Sequence, residues 1–364
     1  MGQDRPRIMS LVAVLYNDDA KLCRGAEVDR RAIAAVEGAC NAVAEALQRS
    51  GFAVQKVPTG RSAAALAAHL DALRPAAIFN IGESFAGSTA MEPHLAAMLE
   101  LLGIPYTGNS PLTLALARDK ALAQRLLEAY GLPVVKSVAV GSGDGIGNGM
   151  DEGGIEGFAE SVLNGLTPPL FVKPRFEDAS HGITSENFCA SVTEARRRAA
   201  SLSREFQQPC LVQEFLPGRE ILAGVILDGQ LLPLSEIDWQ LPEGWPRILT
   251  GESKWMEESP YFRGTPVKCP AEVGEPLAGQ LCDLALRAYQ ALECRDYARV
   301  DIRLDGQGAP HILEVNPNPD LSPEAGLARA ASRGGISYDE LIVGIVRQAL
   351  SRGTVVGGRD HPAA

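Results

Sequence analysis

The chain has 364 residues, 46% of them hydrophobic, and a formal net charge of −11. That length suggests two or three domains around a substantial core, and the acidic balance, with no basic run, excludes the electrostatic footprint of a nucleic-acid binder. No segment approaches about 18 consecutive apolar residues and the N-terminus lacks the apolar stretch of a signal peptide, so neither a membrane span nor a leader is expected.

The predicted elements begin with "MSLVAVLY" (9–16), a nearly continuous apolar run of the kind buried on both faces of a parallel sheet. Helical periodicity over 30–50 stops at Gly51, a plausible residue beyond a helix end. "FAVQKV" (52–57) reads as a strand, 62–73 as a helix, "AAIFNI" (76–81) as a strand and 90–102 as a helix, followed by the short run "IPYTG". This alternation predicts a doubly wound parallel sheet over residues 1–110. Ser110 before Pro111 caps a helix expected to reach Tyr130. The acidic, glycine-rich stretch 141–157 has no cation, which favours a flexible surface loop over a phosphate cradle.

From residue 168 strands dominate: 169–174, 210–216, 221–227, 231–237, 298–304 and 311–316, with helices near 191–205, 271–292 and 337–351. The second half is therefore expected to be α+β with much antiparallel pairing, divided into a central subdomain (111–209), a C-terminal subdomain (210–355) and a flexible tail (356–364). The seven cysteines are scattered without a C-x-x-C pair. They read as reduced thiols of a cytoplasmic protein, a zinc site or catalytic thiol being the alternative.

"ARVDIRLDGQGAPHILEVN" (298–316) is two alternating runs joined by a turn-rich loop, a hairpin pattern. Pairing symmetric about the turn sets Asp301 opposite Glu314 and Arg299 opposite Asn316. Val300 and Ile302 then oppose Val315 and Leu313 on the reverse face. Facing carboxylates repel unless a cation sits between them. Two carboxylates and an Asn carbonyl are the hard-oxygen donors of Mg²⁺ or Mn²⁺, and Mg²⁺ commonly shares its shell with nucleotide phosphates. Alternatively this is a solvated face on which Arg303 and Arg299 neutralise the acids.

Three further segments carry chemistry-bearing residues. In "FVKPRFEDASHGI" (171–183), Lys173 ends an apolar strand before a loop with Ser180 and Gly182, as a phosphate contact or a solvated strand end would. Lys120 lies in a helical stretch, where a surface position is equally compatible. "LVQEFLPGREI" (211–221) breaks at Pro217-Gly218, which suits either a hinge presenting backbone groups to a base, with Glu220 near a ribose, or a plain turn.

Taken in order, these segments, "GIPYTGNSPLTLALARDKALAQRLLEAYGLPV", "LFVKPRFEDASHGI", "LVQEFLPGREI", "ARVDIRLD", "ILEVNPNPDLSP" and "GGISYDELI", resemble the ATP-grasp superfamily and, within it, the D-alanine–D-alanine ligase family over roughly 105–350. The resemblance implies an ATP-grasp fold following the N-terminal α/β domain. It implies ATP and Mg²⁺, with Lys120 and Lys173 on the phosphates, Gln213 where the family usually has a glutamate for the adenine, and Glu214, Phe215 and Leu216 as the hinge. Glu220 would bind the ribose, and Asp301, Glu314 and Asn316 the metal. Arg299 would stabilise the transferring phosphoryl group, Ser180 lies in the loop over the phosphates, and Lys254 with Trp255 matches the family's Lys-Tyr on a mobile lid. The implied reaction phosphorylates a carboxylate and then forms an amide with an amine. Members are commonly dimers, so a homodimer acting on small molecules is expected.

The departures fall where substrates bind. "FNIGESFAGSTAMEPHL" (79–95) has Gly82-Glu83 in place of the family's His-Gly. The first loop lacks the family's Glu-Arg-x-x-Ser-Leu pattern, leaving Glu27 as a positional candidate. "DLSPEAG" (320–326) puts Ala325 where the family's serine would hold the acceptor carboxylate, and adds Asp320 and Glu324. The expectation is a carboxylate–amine ligase for a pair other than two D-alanines, with a cell-wall D-alanine–D-alanine ligase as the alternative. A phosphotransferase or a nucleotide-binding regulator is the reading of another class.

Overall fold

The computed structural model of the chain describes residues 10–18, 27–141, 162–178 and 180–353. The stretch 142–157, the tail beyond 353 and the side chain of Glu27 lie outside the described residues.

The N-terminal sheet contains β1 (Leu11–Tyr16), β2 (Ala53–Pro58) and β3 (Ala77–Asn80), parallel and in the order β2-β1-β3. Its helices are α1 (Glu27–Arg49), α2 (Ala63–Leu73) and α3 (Glu92–Leu101). Strand alternation explains the continuous apolar run in β1. Val12 and Val14 face one core, Ala13 and Leu15 the other, and all four are fully buried. One face is covered by α2 and α3, the other by α1 and the C-terminal helices α10 (Gly326–Arg333) and α11 (Tyr338–Arg352). The end of the chain thus completes the first domain.

The helix expected over 111–130 is two helices, α4 (Pro111–Arg118) and α5 (Lys120–Ala129). Ser110 caps α4 by accepting from Thr113 N as anticipated. The break comes at Asp119, which leaves helical backbone angles, accepts from Leu122 N and forms a two-point ion pair with Arg175 at 2.7 Å for each contact. Lys120 therefore opens a helix and is buried, rather than occupying a surface position along one.

A four-stranded antiparallel sheet, β4-β7-β5-β6, follows from β4 (Ser137–Val140), β5 (Leu170–Pro174), β6 (Phe188–Cys189) and β7 (Cys210–Glu214), packed against α6 (Val192–Phe206). The strand at 210–214, assigned from sequence to the C-terminal subdomain, belongs to this sheet. The six-stranded sheet contains β8 (Glu220–Ile226), β9 (Gln230–Leu231), β10 (Ser235–Ile237), β11 (Val267–Lys268), β12 (Tyr297–Leu304) and β13 (Pro310–Asn316). The run expected as one strand over 231–237 divides at Pro233, which cannot donate to a ladder. Two short helices, α7 (Gly251–Trp255) and α8 (Pro260–Arg263), precede β11, and α9 (Leu277–Ala291) starts six residues later than expected, after Pro276.

The hairpin register matches the symmetric expectation at its functional end: Arg299 opposes Asn316, Val300 opposes Val315 and Asp301 opposes Glu314. Beyond Asp301 a bulge shifts the pairing, and Ile302 opposes Ile312 instead of Leu313. The extra residue sends Ile312 into the core with Val300, Ile302 and Val315, and frees Leu313 to line the neighbouring cavity.

Candidate active site

The four- and six-stranded sheets enclose a cavity of ≈ 840 Å³, part of it open solvent. It is lined by Lys120, Lys173, Ser180, Gln213, Glu214, Phe215, Leu216, Glu220, Lys254, Arg299, Asp301 and Glu314, among others. The residues proposed from separate segments thus meet in one place.

At one end, alternation along β12 turns Arg299, Asp301 and Arg303 to the same face. Arg299 binds Asp301 in a fork, Nε to Oδ1 at 2.7 Å and Nη2 to Oδ2 at 2.9 Å. Asn316 Nδ2 donates to Asp301 Oδ2 at 3.0 Å, which leaves the carboxamide oxygen as acceptor. Across the hairpin, Lys173 Nζ reaches Glu314 Oε2 at 3.0 Å. Burial by itself would raise Glu314, but Lys173, Lys120 and Lys254 outweigh it and hold the carboxyl well below the usual range. Glu314 is therefore an anion throughout physiological pH. Asp301, Glu314 and the Asn316 carbonyl form a hard-oxygen set that fits Mg²⁺. In this state their charges are balanced by Arg299 and Lys173, so the metal reading and the neutralised-face reading share the same residues.

The loop 175–183 carries the groups above the cavity floor. Lys120 Nζ donates to Glu177 O and Asp178 Oδ1, both at 2.6 Å. Burial opposes its charge, yet Asp178 and Glu314 raise its pKa overall. Ser180 sits in left-handed backbone, φ 61°, at the turn of this loop. Gly251 N, at the start of α7, donates to Ile183 O at 3.1 Å, joining the lid segment to the loop. Lys254 projects from that helix into the cavity, where burial and Arg299 lower its pKa against the pull of Glu314 and Asp301. Trp255, its neighbour, does not line the cavity.

At the opposite end, β7 delivers Gln213, which is buried, and whose Oε1 has no donor among the described residues. A buried orphan acceptor invites a ligand N–H, as an exocyclic amine of a base would supply. Phe215 packs edge-on against Phe188, centroids 4.9 Å apart. The chain then turns at Gly218, where a Cβ would lie 2.4 Å from Leu304 O, so no larger residue fits that approach. Glu220, buried at the start of β8, accepts from Arg303 Nη1 at 2.8 Å. Burial raises Glu220 and lowers Arg303, each opposed by the other. Arg303 also stacks on Phe215 and Trp239, with Cζ 4.7 and 5.3 Å from the ring centroids. The sequence offered Arg303 only as a neutraliser in the alternative, solvated-face reading; its i, i+2 spacing from Asp301 was the available signal for a place in the site.

Beside this cavity, in what we propose is a substrate cleft, acids of the N-terminal domain come within electrostatic reach of Asp178 and of the loop after Asn316. Glu83 is exposed at the surface, yet the protein packed around it, together with Asp320 and Asp178, pushes its carboxyl up to about 7. Glu92, in the first turn of α3, accepts from Asn318 Nδ2 at 2.8 Å, and burial pushes it up to about 8. Asp320 accepts from the backbone and hydroxyl of Ser322 and contributes to the field at Glu83. Glu324 is exposed, and neither Glu83 nor Glu92 owes its shift to it, so the expected pairing of two new acids reduces to Asp320. Ala325 stands at the N-cap of α10 with no side-chain cap. Sequence reading missed Glu92, Asn318, Asp178 and His181, because an acid in a first helical turn and polar residues in loops are common without function.

Residues 126–347 match the family model described as D-ala D-ala ligase C-terminus. An uncharacterized protein, y4sG, of Sinorhizobium fredii (strain NBRC 101917 / NGR234) is 34% identical over 275 residues, 76% of this chain and 75% of that protein. A D-alanine–D-alanine ligase of Gluconobacter oxydans (strain 621H) is 32% identical over 333 residues, covering 90% of this chain and 98% of the relative. Among solved structures, a Bacillus anthracis D-alanine–D-alanine ligase complexed with ATP superposes with a TM-score of 0.70 at 19% identity, over 94% of this chain and 98% of that one. No helix among the described residues is long and apolar enough to cross a membrane.

Proposed function

This chain belongs to the D-alanine–D-alanine ligase family of the ATP-grasp superfamily and is an ATP-dependent, ADP-forming ligase; from that premise we propose that it joins a carboxylate to an amine other than two D-alanines. The observation that carries the proposal is the charge of the substrate cleft. Glu83, Glu92, Asp178 and Asp320 converge there, while Ala325 brings no hydroxyl to the cap of α10. Such a cleft disfavours an acceptor that presents a free carboxylate toward α10 and, because a bound cation draws the protons off Glu83 and Glu92, favours one with a second positive charge or a neutral tail.

The cavity residues divide the work. Gln213 and the chain segment Glu214, Phe215 and Leu216 receive the base, and Glu220, backed by Arg303, the ribose. Lys120 and Lys173 meet the phosphates, releasing Asp178 and Glu314 as they do. Asp301, Glu314 and Asn316 would hold Mg²⁺, which when bound neutralises charge on the phosphate oxygens. The substrate carboxylate attacks the γ-phosphorus, ADP leaves, and an acyl phosphate remains. The neutral amine then attacks the acyl carbon, inorganic phosphate departs and an amide is formed. Arg299 is placed where negative charge grows on the phosphoryl and acyl oxygens. Lys254 adds charge from the lid side, and the α7 contact with Ile183 O keeps water from the acyl phosphate. A cytoplasmic setting fits the six described cysteines, all free; homodimerisation rests on the resemblance to the family.

The test is ADP and phosphate release with ATP and Mg²⁺ across a panel of carboxylates and amines, with products identified by mass. We expect an amide product with a diamine or amino-acid amide acceptor to outpace D-alanyl-D-alanine. Faster formation of D-alanyl-D-alanine than of any other amide refutes the substrate proposal, and ADP release without an amide supports a phosphotransferase instead.

A further inference from the structure

The fold leaves one cation beside the substrate cleft uncommitted. Arg118 is the last residue of α4, and its guanidinium lies over the Phe176 ring, Cζ 5.2 Å from the centroid. Arg175 lies over the same ring at 5.1 Å. Arg118 is partly buried, its Nε is wholly buried without a hydrogen-bond partner, and among the described residues it forms no ion pair. The carboxylates around it hold other groups among the described residues. Asp119 is forked by Arg175, Asp178 holds Lys120, Glu177 accepts from Gln208 Nε2 at 2.7 Å and faces His181, and Glu92 accepts from Asn318. Glu92 and Glu177 both feel the Arg118 charge, which places it where α3 meets the loop 175–183.

A stacked, partly desolvated guanidinium with a buried orphan donor lacks an anion. The nucleotide does not fill that role. Lys120, Lys173, Lys254 and Arg299 line the nucleotide cavity, and Arg118 does not. The same four cations serve the carboxylate that becomes phosphorylated. We propose that Arg118 anchors a second, non-reacting carboxylate of a substrate, held by the planar guanidinium that Phe176 keeps in position. Together with the acids that receive an ammonium group, it defines a substrate bearing both an amine and a carboxylate apart from the reacting centre. An amino-dicarboxylic acid as donor is one such substrate; an acceptor whose own carboxylate points away from α10 is the other.

This inference rests on the ligase reading, and its test separates the two. Donor acids and acceptor amines are each compared with analogues in which the non-reacting carboxylate is a carboxamide, in the wild type, Arg118→Gln and Arg118→Lys. The readout is the ratio of kcat/KM for the carboxylate form to that for the carboxamide form. The wild type is expected to favour the carboxylate about 10–100-fold on one of the two substrates, as a charge-assisted hydrogen bond would. Arg118→Gln brings that ratio close to one, and Arg118→Lys restores part of it. Which substrate shows the preference identifies donor or acceptor. A ratio near one in the wild type for both substrates overturns the proposal and needs no variant. A ratio that Arg118→Gln leaves intact while overall activity falls also overturns it, because only a structural role remains. Absence of ADP formation with any pair refutes the ligase reading instead.

Discussion

The cavity proposed for the nucleotide and the cleft proposed for the substrates are built on opposite charge logic. In the cavity each carboxylate stands against a cation: Asp301 with Arg299, Glu314 with Lys173, Glu220 with Arg303. Lys173 helps to keep Glu314 ionised, and each pair holds its cation in place until a ligand substitutes for one partner. In the cleft, Glu83 and Glu92 have no cation in contact among the described residues, and the surrounding protein with repulsion from neighbouring acids lifts both toward neutral pH. The cavity is organised to handle anions, and the cleft to receive cations. The comparison teaches that phosphate chemistry and substrate choice are electrostatically separable here, and substitutions test that separation.

The largest effect is expected at the metal triad. Glu314→Gln removes a proposed metal ligand and leaves Lys173 buried without its partner, so ADP formation should fall by about 10³-fold or more. Retained turnover would refute the metal assignment. Next comes the ribose end. Glu220→Gln leaves Arg303, only 4% exposed, without its counter-ion; thermal melts should report a loss of about 3–5 kcal/mol, with KM for ATP raised. A melt indistinguishable from the wild type would show that the Arg303 stack on Phe215 and Trp239 supports the charge without Glu220.

The cleft predicts smaller, pH-dependent effects. Glu83 is charged only above about 7, so KM for a cationic substrate should fall as pH rises through that value. Glu83→Gln should remove this limb and raise KM by about tenfold. The linkage to stability has the opposite sign. Glu83 and Glu92 keep protons in the folded chain that the unfolded chain releases near the ordinary value of 4.5, so their contribution to stability declines as pH climbs from there toward 8. Glu92→Gln should flatten that decline in pH-dependent melts. The smallest effect belongs to Glu324→Gln, which should change kinetics less than about twofold because exposed charges are well screened. A larger change would bring Glu324 into the cleft and restore the two-acid loop.

Much of the cavity was legible because its defining contacts are local. Arg299, Asp301, Glu314 and Asn316 lie on one hairpin, where a period of two and a turn are enough to set register. The same reading failed one residue further, at Leu313, because a bulge answers to packing against the sheet rather than to any residue pattern. The helix over 111–130 was legible in its start and not in its break, since Asp119 leaves the helix to meet Arg175, 56 positions away. The cleft was legible only as a set of departures from a family pattern. Its contacts join residues as distant as Glu92 and Asn318, 226 positions apart, and no local period reports them.

The sequence by itself determined the alternation of strands and helices and the pairing at the functional end of the hairpin, because backbone periodicity and a turn constrain each other over a few residues; its resemblance to a family supplied the reaction class. Only the tertiary structure decided that Lys173 meets Glu314, that Arg303 is buried against Glu220, that Glu92 meets Asn318 while Glu324 stays exposed, and that Arg118 has no counter-ion among the described residues. Those outcomes depend on burial and on charges brought together from separate domains, and a residue's desolvation and partners exist only once the chain has folded.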